Sequence, residues 1–188
     1  MAVGSKMKRV VGKVVEGVVR VGGKDVAREV SATALGTFSV SAGLAWIVRS
    51  TVGGSDRPAW MAGAASAFEE GLPRLVERAR EAGVEIWWRP THEDVLSDVP
   101  STLTFFRKHP EFGLVLDPGS LITAEMMPRA EEHVERVLEA LGGHEALRLV
   151  VARAGRVGEM VQGGVDEHVA ASVPLVWVGD GVSGVGLQ

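Results

Sequence analysis

The stretch "FEEGLPRLVERAREAGVEIWWRP", Phe68 to Pro90, decides the fold. Phe68, Leu72, Leu75, Val76, Ala79 and Ala82 recur at the spacing of one helix face. Glu69, Glu70, Arg74, Glu77, Arg78 and Glu81 fill the solvated face between them. Pro73 reads as part of an irregular first turn, and Gly83 is placed to end the helix in a left-handed cap. The chain then runs directly into "VEIWW", Val84 to Trp88, a short strand of β-favouring residues. A helix delivered so closely into an apolar strand is one unit of an alternating α/β architecture.

Working outward, the unit repeats. Asp98 is a natural N-cap for a helix through Pro100, Leu103 and Phe106 that stops before His109-Pro110. "FGLVL", Phe112 to Leu116, is the next strand. Pro128 opens an amphipathic helix with Ala130, Val134, Val137, Leu138 and Leu141 on one face, closed by Gly142-Gly143. "LRLVVA", Leu147 to Ala152, is again a strand. Upstream, "KDVAREVSATALG" reads as a helix ending at Gly36, and "LAWIV", Leu44 to Val48, as a strand. Downstream, "VDEHVAAS", Val165 to Ser172, reads as a short helix before the strand "PLVWVG".

The strands are short and continuously apolar, as strands covered on both faces should be. The expected fold is therefore α/β, with parallel strands alternating with helices, either as an open doubly wound sheet or as a partial or shortened (β/α) barrel, the form that the family resemblance below implies. A full barrel of eight such units takes about 250 residues, and this chain has 188. An incomplete barrel would leave sheet edges for a second copy of the chain to cover, so a homo-oligomer is expected on that ground. A single domain over residues 24–188 is expected. Residues 1–23 remain unassigned, because their paired valines recur every four residues although valine and glycine are poor helix formers. Residues 155–188 are, like them, candidates for extensions outside a truncated barrel.

Composition narrows the function classes. Hydrophobic residues make up 46% and charged residues 23%, which supports a core and speaks against disorder. The net charge is −4, and the basic residues are scattered, which argues against nucleic acid as the partner. The chain has no cysteine, so disulfides, thiolate metal sites and a cysteine nucleophile are excluded. That usage fits a cytoplasmic protein. No apolar run is long enough to span a membrane, so no membrane partner is expected.

Ligands of parallel sheets gather at the C-terminal strand ends. Those ends carry Arg89 to Asp94 after "VEIWW", Asp117 to Ser120 after "FGLVL", Arg153 after "LRLVVA", and Asp180 after "PLVWVG". Asp117-Pro118-Gly119 is strong turn chemistry, and the same aspartate is placed to face a ligand or to pair with Arg89 on the neighbouring strand. His92 is a loop histidine and a candidate general base. Trp87 and Trp88 point to opposite faces of their strand, so one of them can line the interior. His109, His133 and His144 read as surface residues. "WVGDGVSG", Trp177 to Gly184, reads as a turn.

"GVEIWWRPTH" followed by "FGLVLDPGSL" resembles the xylose-isomerase-like TIM-barrel superfamily of sugar isomerases, epimerases and endonuclease IV relatives. The similarity extends over residues 24–152 and is best over 64–141. It implies catalytic roles for His92 and Asp117, substrate binding by Arg89, Trp87 and Ser120, and a metal ligand in Asp117. The remaining ligands of the pattern are replaced. Arg89 stands where the family has a metal-binding glutamate, and Ser120 where it has a histidine. "LRLVVA" and "PLVWVG" lack the expected histidine and glutamate. The expected function is thus a degenerate barrel protein that binds a small molecule or serves assembly without catalysis and without a cofactor. The alternative is a sugar or polyol isomerase or epimerase with a rebuilt divalent-metal site, to which Glu93, Asp94, Glu159 or Asp180 would contribute.

Overall fold

The computed structural model describes residues 11–15, 18–21, 23–30, 44–52, 58 and 60–178. Among these residues, eight strands follow one another around a closed barrel in sequence order. They are β1 (Val11–Val15), β2 (Val18–Val21), β3 (Lys24–Val30), β4 (Ala45–Val48), β5 (Ile86–Trp88), β6 (Gly113–Leu116), β7 (Leu147–Arg153) and β8 (Leu175–Val178). The helices are α1 (Ala64–Ala82), α2 (Val99–Lys108), α3 (Ala130–Leu141) and α4 (Arg156–His168). From β3 to β8 every neighbouring pair is parallel, and β8 pairs in parallel with β1. Only β2 runs against its neighbours.

That reversed strand explains how a short chain closes a barrel. Parallel neighbours need a crossover of about a dozen residues or more, whereas antiparallel neighbours can be joined by a tight turn. Gly23, at φ 82°, sits in the turn between β2 and β3. Closure removes the open edges on which a covering second copy was expected. Residues 11–15, 18–21 and 155–178 belong to the barrel and its helical layer, not to extensions outside it.

Alternation along the strands sorts two cores. Val19, Ala27, Ala45, Ile47, Val115, Leu149, Val151 and Val176 fill the barrel interior. Trp46, Val48, Trp88, Leu114, Leu116, Val150 and Ala152 face outward beneath the helices. Trp88 packs edge-on against Phe68, Phe105 and Phe112, with ring centroids 5.1, 5.7 and 5.9 Å away. Such pairs add favourable edge-to-face electrostatics to the buried area.

The helices from Ala64 to Leu141 follow the sequence closely. Gly83 caps α1 in the left-handed conformation. Asp98 and Ser101 form a reciprocal capping box at α2. A 3-10 turn over Ala124–Arg129 containing Pro128 leads into α3. Three expectations need correction. Pro73 lies inside α1, because that helix begins at Ala64, more than a turn before Phe68. Lys24–Val30 is strand, not helix, since Ala27 and Glu29 take the interior register of β3; residues 31–36 of that stretch lie outside the described residues. The last helix spans Arg156–His168 and so begins earlier than Val165.

Candidate functional site

The C-terminal mouth of the barrel is a ring of paired charges. Glu29 follows Ala27 in the inward register of β3, and Arg89 follows Trp87 in that of β5. Asp117 follows Val115 on β6, and Arg153 follows Val151 on β7. Strand pleating alone therefore delivers four charged side chains to one end of the barrel.

Asp117 is buried, with 1% of its side chain accessible. Its Oδ2 accepts hydrogen bonds from Arg153 Nε at 2.8 Å and Ser120 Oγ at 2.7 Å, with Arg153 Nη2 also 2.8 Å away. Its Oδ1 accepts from the Ser120 backbone N–H at 3.3 Å. Asp117 thus caps the 3-10 turn Pro118–Leu121 and neutralises an arginine at once. The expected pairing with Arg89 does not form. Arg89 instead pairs with Glu29 through Nη1, two strands away on the other side. Which cation reaches Asp117 depends on side-chain direction around the closed ring, and the linear order of strands does not encode it.

Arg89 is only 16% accessible, and its Nε is buried without a hydrogen-bond partner. A buried donor left unpaired costs about 1–3 kcal/mol.

A second pair anchors the loop after β5. Arg49 Nε and Nη2 lie 2.9 and 2.8 Å from the two oxygens of Asp94, whose side chain is fully buried. Ser50 closes the same loop, accepting from Val95 N–H on its carbonyl and from Leu96 N–H on its hydroxyl. Arg49 immediately follows β4 much as Arg89 follows β5. That repeated placement of arginine at a strand end is the signal the sequence holds for it.

His92 lies between the loops. Its Nδ1 is 2.9 Å from the Ser120 carbonyl oxygen. A carbonyl only accepts, so Nδ1 is the donor in this contact. The nearest carboxylate to Nε2 is Glu93, at 3.9 Å. His92 meets the Ser120 backbone, while the Ser120 hydroxyl points to Asp117, so these three residues form no proton relay of the nucleophile–base–acid kind.

Trp87 faces away from this mouth. Its indole N–H donates to Glu85 at 2.9 Å, and the ring lies over Gly113 at the start of β6. His109 is no simple surface residue. It packs at a tilt of 35° against Phe105, with ring centroids 4.7 Å apart, and contacts Glu69 at 3.1 Å.

The metal-ligand set of the resemblance is not assembled here. Among the described residues no three histidine, aspartate or glutamate side chains converge to hold an ion. Asp117 and Asp94 are each occupied by a guanidinium, which would repel a cation approaching the same oxygens. Asp180 lies outside the described residues. Likewise among the described residues, no helix is long and apolar enough to cross a membrane. Compared with known proteins, the chain matches no family model and no curated protein.

Proposed function

We propose that this chain is a small-molecule-binding protein on a shortened, degenerate xylose-isomerase-like barrel, without catalysis and with the metal site given over to ion pairs. The observation that carries this reading is the mouth itself. The carboxylates Asp117 and Glu29 are held by Arg153 and Arg89, while the Arg89 Nε donor lacks an acceptor. Guanidinium groups supply the positive charge that a cation would otherwise supply. A ligand bearing a hydroxyl or carboxylate oxygen would satisfy Arg89 and take its orientation from the fixed pairs around it.

The test follows the Arg89 Nε–H resonance in ¹H–¹⁵N spectra during titration with sugars, polyols and small hydroxy acids. A compound that shifts this resonance saturably, and no longer binds to an Arg89→Lys variant, supports the reading. Two results count against it: no compound moves the resonance, or a sugar is isomerised with a metal requirement that Asp117→Asn abolishes.

A further inference from the structure

Ser120 is a junction in the mouth, with its N–H, its carbonyl and its hydroxyl all engaged. The hydroxyl donates to Asp117 Oδ2 at 2.7 Å, and the backbone N–H lies 3.0 Å from the Asp117 carbonyl oxygen and 3.3 Å from its Oδ1. The Ser120 carbonyl oxygen accepts twice from His92, from the backbone N–H and from ring Nδ1, each at 2.9 Å. Asp117 is buried and is itself gripped by Arg153 through Nε and Nη2. Ser120 thus joins the loop after β5 to the end of β7 by way of the turn after β6. It can hold the histidine only as firmly as Asp117 holds it.

The consequence falls on the His92 ring. Two donors on one carbonyl oxygen fix both where the backbone sits and how the ring is turned. In a neutral imidazole one nitrogen donates and the other accepts, and the hydrogen bond made by one sets the role of the other. A neutral His92 held through Nδ1 therefore carries its lone pair on Nε2. The His92 side chain is 39% accessible, and Nε2 makes no hydrogen bond among the described residues, with Glu93 3.9 Å away. We infer that Ser120 is a positioning residue, which holds His92 in the Nδ1–H tautomer and leaves Nε2 as the acceptor for a ligand hydroxyl. The acceptor role rests on the mouth being the binding site. The tautomer does not, so the two can fail separately.

Long-range ¹H–¹⁵N correlation spectra of the histidine rings, recorded at alkaline pH without any ligand, read the tautomer, with His92 assigned from a His92→Gln variant. The inference predicts a protonated Nδ1 and an unprotonated Nε2 in the parent. Ser120→Ala deletes the hydroxyl bond to Asp117 and leaves the carbonyl in the chain. The ratio of Nδ1–H to Nε2–H forms should then fall by about twofold or more, the low end of what one hydrogen bond contributes. Asp117→Ala removes both side-chain anchors of Ser120 and should lower the ratio further. Glu69→Gln, which loses contacts to Lys108 and His109 away from the mouth, should leave the His92 tautomer as in the parent. A parent ring with its proton on Nε2 overturns the inference. So does a ratio that Ser120→Ala leaves unchanged, or that Glu69→Gln shifts as much. A compound that moves the Arg89 resonance but not His92 Nε2 overturns the acceptor role alone.

Discussion

Removing Arg153 should harm this protein more than neutralising its partner. Asp117 is buried at 1% accessibility, whereas 43% of the Arg153 side chain is open to solvent. Arg153→Ala leaves a buried carboxylate held only by the Ser120 hydroxyl at 2.7 Å and its backbone N–H at 3.3 Å. Breaking a buried pair in that direction costs about 3–5 kcal/mol, and the solvent exposure of Arg153 argues for the low end, about 3 kcal/mol. Asp117→Asn is a different case. The half-exposed guanidinium can turn to water, and the amide oxygen keeps an acceptor in place, so a loss of about 1–2 kcal/mol is expected. The order of the two effects follows from which partner is buried. The same logic fixes the double variant. With Arg153 gone, Asp117→Asn removes an unpaired buried charge and should restore stability. Urea denaturation followed by circular dichroism measures all four corners of the cycle. For a chain of this size, Arg153→Ala should also lower the melting temperature by about 6–12 °C. The reasoning is refuted if Arg153→Ala lies within about 0.5 kcal/mol of the parent, or if the two changes simply add.

Other expectations follow from local geometry. A Cβ at Gly158 would stand 1.7 Å from the Arg153 carbonyl oxygen. Gly158→Ala should therefore push α4 off the end of β7 and cost about 3 kcal/mol or more, seen as a fall in the urea midpoint. Asp98→Ala removes one half of the α2 capping box and should cost about 1 kcal/mol, read from the same denaturation curve. The Glu69 carboxyl sits below its ordinary value of 4.5; burial pushes it up, but hydrogen bonds from Lys108 and His109 outweigh that effect. A depressed carboxylate stabilises the fold above its unfolded value, and that contribution disappears as the pH falls through the folded one. The stability gap between the parent and Glu69→Gln should thus close below about pH 4.5, and salt should narrow it at neutral pH.

The sequence was most legible where single elements have one apolar face. From Ala64 to Arg153 the helix stripes, the glycine cap at Gly83 and the capping aspartate at Asp98 all lie where local chemistry puts them. Three other regions hid their structure for physical reasons. Lys24–Val30 carries an inward glutamate at the mouth, which breaks the apolar alternation that marks a strand. In α4, Gly158, Gly163 and Gly164 argue against a helix. Yet Gly158 is required by its close approach to β7, and Gly155, at φ 102°, by the turn that leads into the helix. The valine pairs of residues 10–19 have a spacing that suits a helix in one dimension, while the described part of that segment is strand in a closed sheet. For the site, pleating foretells which residues face the mouth. It does not foretell that Asp117 takes Arg153 and Glu29 takes Arg89, since those choices arise only when the ring closes.

In the proposed reading, arginines supply the positive charge where the metal of the resembled family would act. Calorimetric titration of metal-stripped protein with Mn²⁺, Mg²⁺ and Zn²⁺, alongside an Asp117→Ala variant, tests it most directly. The ion-pair account predicts no stoichiometric binding, and the same trace for both proteins. Stoichiometric binding to the parent that vanishes in Asp117→Ala would contradict it, and would identify Asp117 as a ligand of a rebuilt metal centre.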